Sequence, residues 1–246
     1  MSTDKPSPHF DTVNLHSDRS DKPEHGALHK PIHTSIAFEY ADSRELAAVF
    51  QGKQAGYNYG RQQNPTVNAL QNRITRMEGG VASVAFATGM AAIGSILFSL
   101  LKQGDHVVSS AYLFGNTNSL FNTFGNLGID VSFVDATDVG NIEKAITPNT
   151  KLVFVETIAN PVTQVADLAK IGELCAAKRL VYVVDNTITT PCLFSPKSVG
   201  ASLIVNSLSK YFGGHGDALG GAVTETGLLD WSGFPNLYEN YKTGPV

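Results

Sequence analysis

Cysteine is scarce in this 246-residue chain. Cys175 and Cys192 make no CxxC pair and no spaced framework, which excludes a disulfide scaffold and a cysteine-built zinc site. A reducing cytoplasm is the compartment that such usage suits. A basic excess is also missing, since 18 Lys and Arg stand against 22 Asp and Glu for a net charge of -4. Binding to a phosphate backbone needs a cationic footprint, so nucleic acid is not an expected partner, although a small anion can still be held locally. The N-terminus has no apolar signal core after its first charges, and no uninterrupted apolar run approaches the roughly 20 residues of a membrane span. The expectation is a soluble, cytoplasmic protein without membrane partners. Internal repeats are absent, which excludes a solenoid. There is no GxxxxGK[ST] loop, and Gly214-His215-Gly216 does not continue as GxGxxG at the opening of a helix after the first strand. A dinucleotide-dependent enzyme therefore loses its best evidence.

What is present is enough apolar residues, 42% of the chain, to bury a substantial core. Residues 1–30 are polar, rich in Asp, Ser, His and Pro, and lack a sustained apolar period; they read as an arm that packs on a partner subunit. A helix through this region would align His25, His29 and His33 as metal ligands, but Gly26 and Pro31 argue against that helix, so no metal is expected. From Asn64 onward, amphipathic segments at 65–77, 89–101, 116–126 and 167–178 alternate with short apolar, β-branched runs. Those runs lie at 83–86, 106–109, 131–134, 152–156, 181–184 and 203–205. Buried parallel strands joined by crossover helices have this pattern, which predicts an α/β fold with helices on both faces of a mostly parallel sheet. The expected organisation is an N-terminal arm and intersubunit segment over 1–64, followed by a large domain over 65–246.

In an open parallel sheet, ligands bind beyond the carboxyl ends of the strands, so the polar residues that follow the apolar runs are the candidates for chemistry. After 83–86 comes Thr88-Gly89-Met90 at the start of a helical segment, where free amides make a phosphate cup, or else a plain strand-to-helix turn. After 152–156 comes Ile158-Ala159-Asn160-Pro161, in which Asn160 can donate to a ligand oxygen or merely shape the turn before proline. The run Leu180-Val181-Tyr182-Val183-Val184-Asp185 drives a carboxylate to the end of a buried strand. A carboxylate there needs a cation, either a structural Arg or Lys or a protonated ring nitrogen of a ligand. Finally, Ser207-Leu208-Ser209-Lys210 precedes a cluster of glycines. Two hydroxyls before a lysine can bind phosphate, the glycines allow close backbone approach, and a lysine so placed can serve as an imine-forming nucleophile and proton shuttle. His215 and Asp217 in that cluster are read as bracing the loop.

Taken in order, six segments resemble the Cys/Met-metabolism family of fold-type-I pyridoxal-phosphate enzymes. They are Tyr57-Asn58-Tyr59-Gly60-Arg61 with Asn64-Pro65-Thr66, Thr88-Gly89-Met90, Phe114-Gly115-Asn116-Thr117, the stretch from Glu156 to Pro161, Val184-Asp185-Asn186-Thr187, and Ser207-Leu208-Ser209-Lys210. The match runs from about His29 to the end of the chain. It implies pyridoxal 5′-phosphate as cofactor, with Lys210 as the Schiff-base lysine, Asp185 on the pyridine nitrogen and Asn160 on the ring hydroxyl. Gly89, Met90, Ser207 and Ser209 would hold the phosphate, and Phe114 would stack on the ring. The family also implies that Tyr59 and Arg61 reach the phosphate of a neighbouring subunit, which makes the active unit a homodimer or homotetramer; a guanidinium suits a phosphate dianion.

Within the family, Phe114 stands where many relatives carry Tyr. A phenyl ring can stack but cannot lend a proton, so leaving-group protonation falls to Lys210 or Tyr59. Asn116 stands where methionine lyases typically carry a reactive Cys. The resemblance is strongest to the O-acetylhomoserine and O-succinylhomoserine sulfhydrylases, which join sulfide or a thiol to the amino acid's γ-carbon in methionine biosynthesis. The alternatives are a cystathionine γ-synthase or γ-lyase, or a chain that only binds cofactor and oligomerises. That last alternative follows from the family's smaller C-terminal domain and its substrate-binding arginine. The expectation is a large domain without that partner, with turnover impaired.

Overall fold

The computed structural model describes residues 9–17 and 23–234. The described residues up to Met77, together with Trp231 to Phe234, form one compact unit, and Glu78–Asp230 form the other. The end of the aromatic-rich stretch that begins at Trp231 and the terminal Gly244-Pro245-Val246 lie outside the described residues.

In the first unit, α1 (Phe10–His16) buries none of its residues, as suits a polar sequence with no apolar stripe. The segment around His25 makes only a single 3₁₀ turn, Glu24–Gly26, with His25 at φ 56° and Gly26 at φ 71°. The helix that would align the three histidines is not formed. Among the described residues, no group of His, Cys, Asp and Glu could hold a metal ion. Helix α2 (Ser43–Phe50) starts at Asp42, whose carboxylate accepts the Arg44 N–H at 2.7 Å. Helix α3 (Pro65–Glu78) follows Asn64, whose Oδ1 accepts the Thr66 N–H at 2.8 Å.

The second unit is built on seven strands: β1 (Ala82–Phe86), β2 (His106–Ser110), β3 (Asp130–Val134), β4 (Thr150–Glu156), β5 (Val181–Asp185), β6 (Leu203–Ser207) and β7 (Gly221–Glu225). Their order in the sheet is β1-β7-β6-β5-β4-β2-β3. The pairs β6–β5, β5–β4, β4–β2 and β2–β3 are parallel, while β7 runs antiparallel to both β1 and β6. The mostly parallel sheet is therefore as the apolar runs predict. The addition is β7, which is not among the apolar runs read from the sequence. Gly221 is required by packing rather than by a turn, since a Cβ there would collide with the Thr88 carbonyl.

Strand alternation assigns the two faces of the sheet. Val153 and Val155 of β4, with Tyr182 and Val184 of β5 and Ile204 of β6, belong to a buried cluster that includes Ile142 and Ile171. These two come from α6 (Val139–Ala145) and α7 (Leu168–Lys178). Phe154 points the other way and meets Phe121 edge-on, with ring centroids 5.2 Å apart. Phe121 lies on α5 (Gly115–Gly125), which packs with α4 (Gly89–Leu100). Helices thus cover both faces, and the carboxyl ends of the strands are left as the open edge. Among the described residues, no helix is long and apolar enough to cross a membrane.

Candidate active site

The carboxyl ends of β4, β5 and β6 surround a cavity of about 690 Å³. Its wall contains Gly89, Met90, Phe114, Asn160, Asp185, Ser207, Ser209 and Lys210, eight of the ten residues singled out in the sequence. They arrive from several elements, Gly89 and Met90 both from the start of α4 and Ser207 from the end of β6. Thr88 caps α4, its hydroxyl accepting the Ala91 N–H at 3.0 Å. The first intrahelical bond runs from Ala92 N–H to the Thr88 carbonyl at 3.1 Å, so the Gly89 and Met90 amides precede the helical ladder. The cup closes tightly on β6: a Cβ at Gly89 would come within 2.8 Å of the Ser207 Cβ. Ser207 is itself fixed, its N–H donating to Thr187 Oγ1 at 2.8 Å. Ser209 is on the wall, but its hydroxyl is engaged with Gly220, accepting that residue's N–H at 3.0 Å.

Lys210 is exposed, held through its backbone by bonds to Ser207 and Gly214, and its ammonium has no partner among the described residues. Asp185 faces the same cavity. It accepts the Thr187 N–H at 3.0 Å and meets no cation among the described residues. Desolvation pushes its pKa up, only partly offset by the Thr187 hydrogen bonds. Among the described residues, no structural Arg or Lys compensates it.

Glu156 is the residue whose importance the sequence understates. It is 7% exposed, and the parallel register sets it directly across from Asp185. Its Oε1 accepts the Phe114 N–H at 2.7 Å and its Oε2 accepts the Asn160 N–H at 3.2 Å. One carboxylate thus fastens the two loops that carry Phe114 and Asn160. Burial, aided by the neighbouring Asp185 charge, raises its pKa to about 7 against the pull of the two amides. Local sequence could show an acid at a strand end, but only the pairing of β4 with β5 makes it a neighbour of Asp185.

Tyr59 and Arg61 belong to the first unit. The Arg61 guanidinium lies 5.1 Å from the centroid of the Tyr59 ring, within range of a cation–π contact. Their loop is pinned by an antiparallel bridge between Ala37 and Tyr59 and by the Gly60 N–H to Ile36 carbonyl bond at 2.7 Å.

A model of the Cys/Met metabolism PLP-dependent enzyme family matches residues 11–245. The chain belongs to that family. It is 40% identical over 225 residues to the O-acetyl-L-homoserine sulfhydrylase of Corynebacterium glutamicum, covering 91% of this chain and 52% of that protein. It is 39% identical over 223 residues to the L-methionine gamma-lyase of Pseudomonas putida, covering 90% of this chain and 56% of that one. The structure superposes with a TM-score of 0.83 on a candidate O-acetylhomoserine (thiol)-lyase from Campylobacter jejuni solved with N′-pyridoxyl-lysine-5′-monophosphate. That pair is 35% identical, with 88% of this chain and 54% of that chain covered. The chain spans about half the length of the curated relatives it matches. The cavity's residues fit the family's cofactor: an uncompensated carboxylate suits a pyridinium nitrogen, an amide cup suits a phosphate, and an unpaired amine suits covalent attachment.

Proposed function

We propose that the cavity is the site of a γ-replacement reaction, in which O-acetylhomoserine or O-succinylhomoserine and sulfide give homocysteine and the free carboxylic acid. The observation that carries this reading is the meeting of Asp185, uncompensated, and Lys210, unpaired, in one cavity. Pyridoxal phosphate, when bound, supplies a cationic ring that delocalises the electrons left behind when a proton is removed next to the amino-bearing carbon. Lys210 would hold the group through Nζ, and its amine is the base placed to carry protons between the substrate's α and β carbons. Asp185 keeps the ring nitrogen protonated by supplying the opposite charge in a desolvated place. The Gly89 and Met90 amides with Ser207 and Ser209 would hold the phosphate, Asn160 would meet the ring hydroxyl, and Phe114 would supply an aromatic face for the ring.

Phe114 has no hydroxyl, so the proton for the departing acyloxy group comes from Lys210 or from Tyr59. The acyloxy group leaves the γ-carbon with its bonding electrons, and sulfide makes the new carbon–sulfur bond there. The segment over 1–64 serves an interface between copies of the chain, with Tyr59 and Arg61 completing the phosphate site of a neighbouring subunit in a dimer or tetramer. The near-equal likeness to a methionine gamma-lyase keeps a second reading open, elimination at the same carbon. Asn116 in the cavity wall, with no thiol, favours replacement over that lyase.

The test is the visible spectrum of the protein with pyridoxal phosphate, followed by borohydride reduction and peptide mapping, and then product analysis. A yellow band fixed by reduction onto Lys210, and homocysteine formed from an O-acylhomoserine with sulfide, are expected. No homocysteine from either ester would overturn the replacement reading. Cystathionine formed with cysteine in place of sulfide would point to the synthase, and thiol release from methionine to the lyase.

A further inference from the structure

Beneath the cavity lies a carboxyl that the proposed chemistry does not use. Glu78, the last residue of α3, is 1% exposed. Its Oε1 accepts the Asn206 Nδ2–H at 2.7 Å and the Asn186 Nδ2–H at 3.3 Å. Asn206 and Asn186 are both wholly buried, and they are the immediate neighbours of Ser207 and Asp185. In this cluster two buried acceptors have no hydrogen-bond partner among the described residues: the other oxygen of Glu78, Oε2, and the other end of the same asparagine, Asn206 Oδ1. An ionised Glu78 would leave both permanently unsatisfied, each at the desolvation cost of a buried polar group. A single proton removes the conflict. Placed on Oε2, it can donate to Asn206 Oδ1 while Asn206 Nδ2 donates to Oε1, closing a two-bond ring between a carboxylic acid and an amide.

We infer that Glu78 is a positioning residue that works as a neutral carboxylic acid, pairing with Asn206 and bonding to Asn186 so that the ends of β6 and β5 hold Ser207 and Asp185 in register. Burial pushes the Glu78 pKa up to about 7, and only the two asparagines pull it down. Among the described residues no charged side chain acts on it; the ammonium of Lys197 is bonded to the carbonyl of Gly79, the residue after Glu78, at 2.7 Å. Asn186 is further tied by its Oδ1 to the Thr189 hydroxyl and by its Nδ2 to the Phe194 carbonyl at 3.0 Å, so Glu78 bears on a braced asparagine rather than a free one. The link to cofactor positioning rests on the proposed use of Ser207 and Asp185; the neutral pair itself does not.

The test compares wild type, Glu78→Gln and Glu78→Ala in the same chain. Gln has the shape and the donor–acceptor pattern of the protonated acid, so Glu78→Gln should fold and match wild type in melting temperature near pH 5. It should become progressively more stable than wild type as pH rises from about 5 to 7, where the unfolded wild type has given up the proton that the fold retains, and keep that margin above 7. Infrared spectra at pH 6 should show a protonated-carboxyl stretch in wild type that is lost in Glu78→Gln. Pyridoxal phosphate affinity, read from the visible band, should be kept within about threefold in Glu78→Gln and fall at least tenfold in Glu78→Ala. A Glu78→Gln protein that is unfolded, or as destabilised as Glu78→Ala at every pH, would overturn the inference, as would an unchanged infrared band. If wild type takes up no cofactor, the proposed function fails, while the melting and infrared comparisons still decide whether Glu78 is neutral.

Discussion

The two ends of the same sheet spend their polar groups in opposite ways. At the amino end, His106 is 5% exposed and both its ring nitrogens are used, Nδ1 with Thr150 Oγ1 at 2.7 Å and Nε2 with Ser132 Oγ at 3.0 Å. Asp105 beside it accepts the Lys102 N–H at 3.0 Å. At the carboxyl end, Asp185 has no cation and Lys210 no anion among the described residues, and Glu156 is held near neutrality. Burying polar groups is tolerable once they are paired, and the amino end is a finished structure in that sense. The carboxyl end is left unfinished by the protein's own atoms. What the difference teaches is that the unpaired groups mark where a ligand belongs.

Removing the attachment point breaks the comparison most completely. Lys210→Ala is expected to abolish the reducible yellow band and covalent labelling by borohydride, while leaving the melting temperature of the unloaded protein within about 1 °C, because the exposed ammonium makes no hydrogen bond or ion pair among the described residues. Next is Asp185→Asn, whose two effects should have opposite signs. Without cofactor, relief of an uncompensated buried charge should raise stability by about 1 kcal/mol, or about 2–4 °C in melting temperature for a chain of this size. Cofactor affinity, titrated by absorbance, should fall by about 100-fold, since a desolvated charge pair is broken from one side.

A third experiment separates the two ends by pH. Glu156 titrates near 7 in the fold against an ordinary value of 4.5, so the folded state holds the extra proton between those values. Stability at the carboxyl end therefore falls as pH rises from about 4.5 to 7, at up to about 1.4 kcal/mol per unit for a single group. His106 works the other way. Its pKa is lowered by burial, only partly countered by Asp130, so the unfolded chain takes up the proton first and stability falls as pH drops below the ordinary histidine value of about 6.5. Chemical denaturation across pH 4.5–8 should show the alkaline-side loss diminished in Glu156→Gln. That variant also leaves one of the Phe114 and Asn160 amides without its acceptor, at about 1–3 kcal/mol. The smallest expected effect on the site is that of His106→Ala. It should remove the acid-side slope and cost about 1–3 kcal/mol of stability through the Thr150 and Ser132 hydroxyls it abandons, yet leave cofactor affinity unchanged.

How much of this was readable beforehand depends on the range of the interaction. The apolar runs at 152–156, 181–184 and 203–205, and the turn at Thr88-Gly89, fall where strands and a helix start are observed, because burial on both faces imposes a local composition. Four helical segments were likewise legible from their periodicity, whereas α6, with seven residues, is too short to show one. The eight residues that line the cavity came from motif order together with the rule that parallel sheets bind at their carboxyl ends. Tyr59 and Arg61 were legible as a motif, and the use proposed for them would need a neighbouring subunit.

By itself, then, the sequence determined the alternation of elements, the end of each strand that carries its chemistry, and the family. The tertiary structure alone decided three things. It inserted β7 between β1 and β6 in the opposite direction, where the absence of a side chain at Gly221 lets the strand press against the Thr88 carbonyl. It set Glu156 in register with Asp185, coupling two carboxyls 29 residues apart in numbering. It also carried Glu78 beneath Asn186 and Asn206, more than a hundred residues further along the chain. Local composition dictates whether a residue is buried and in what element; which polar group it meets there depends on strand order and register, and those are fixed by the packing of the whole sheet.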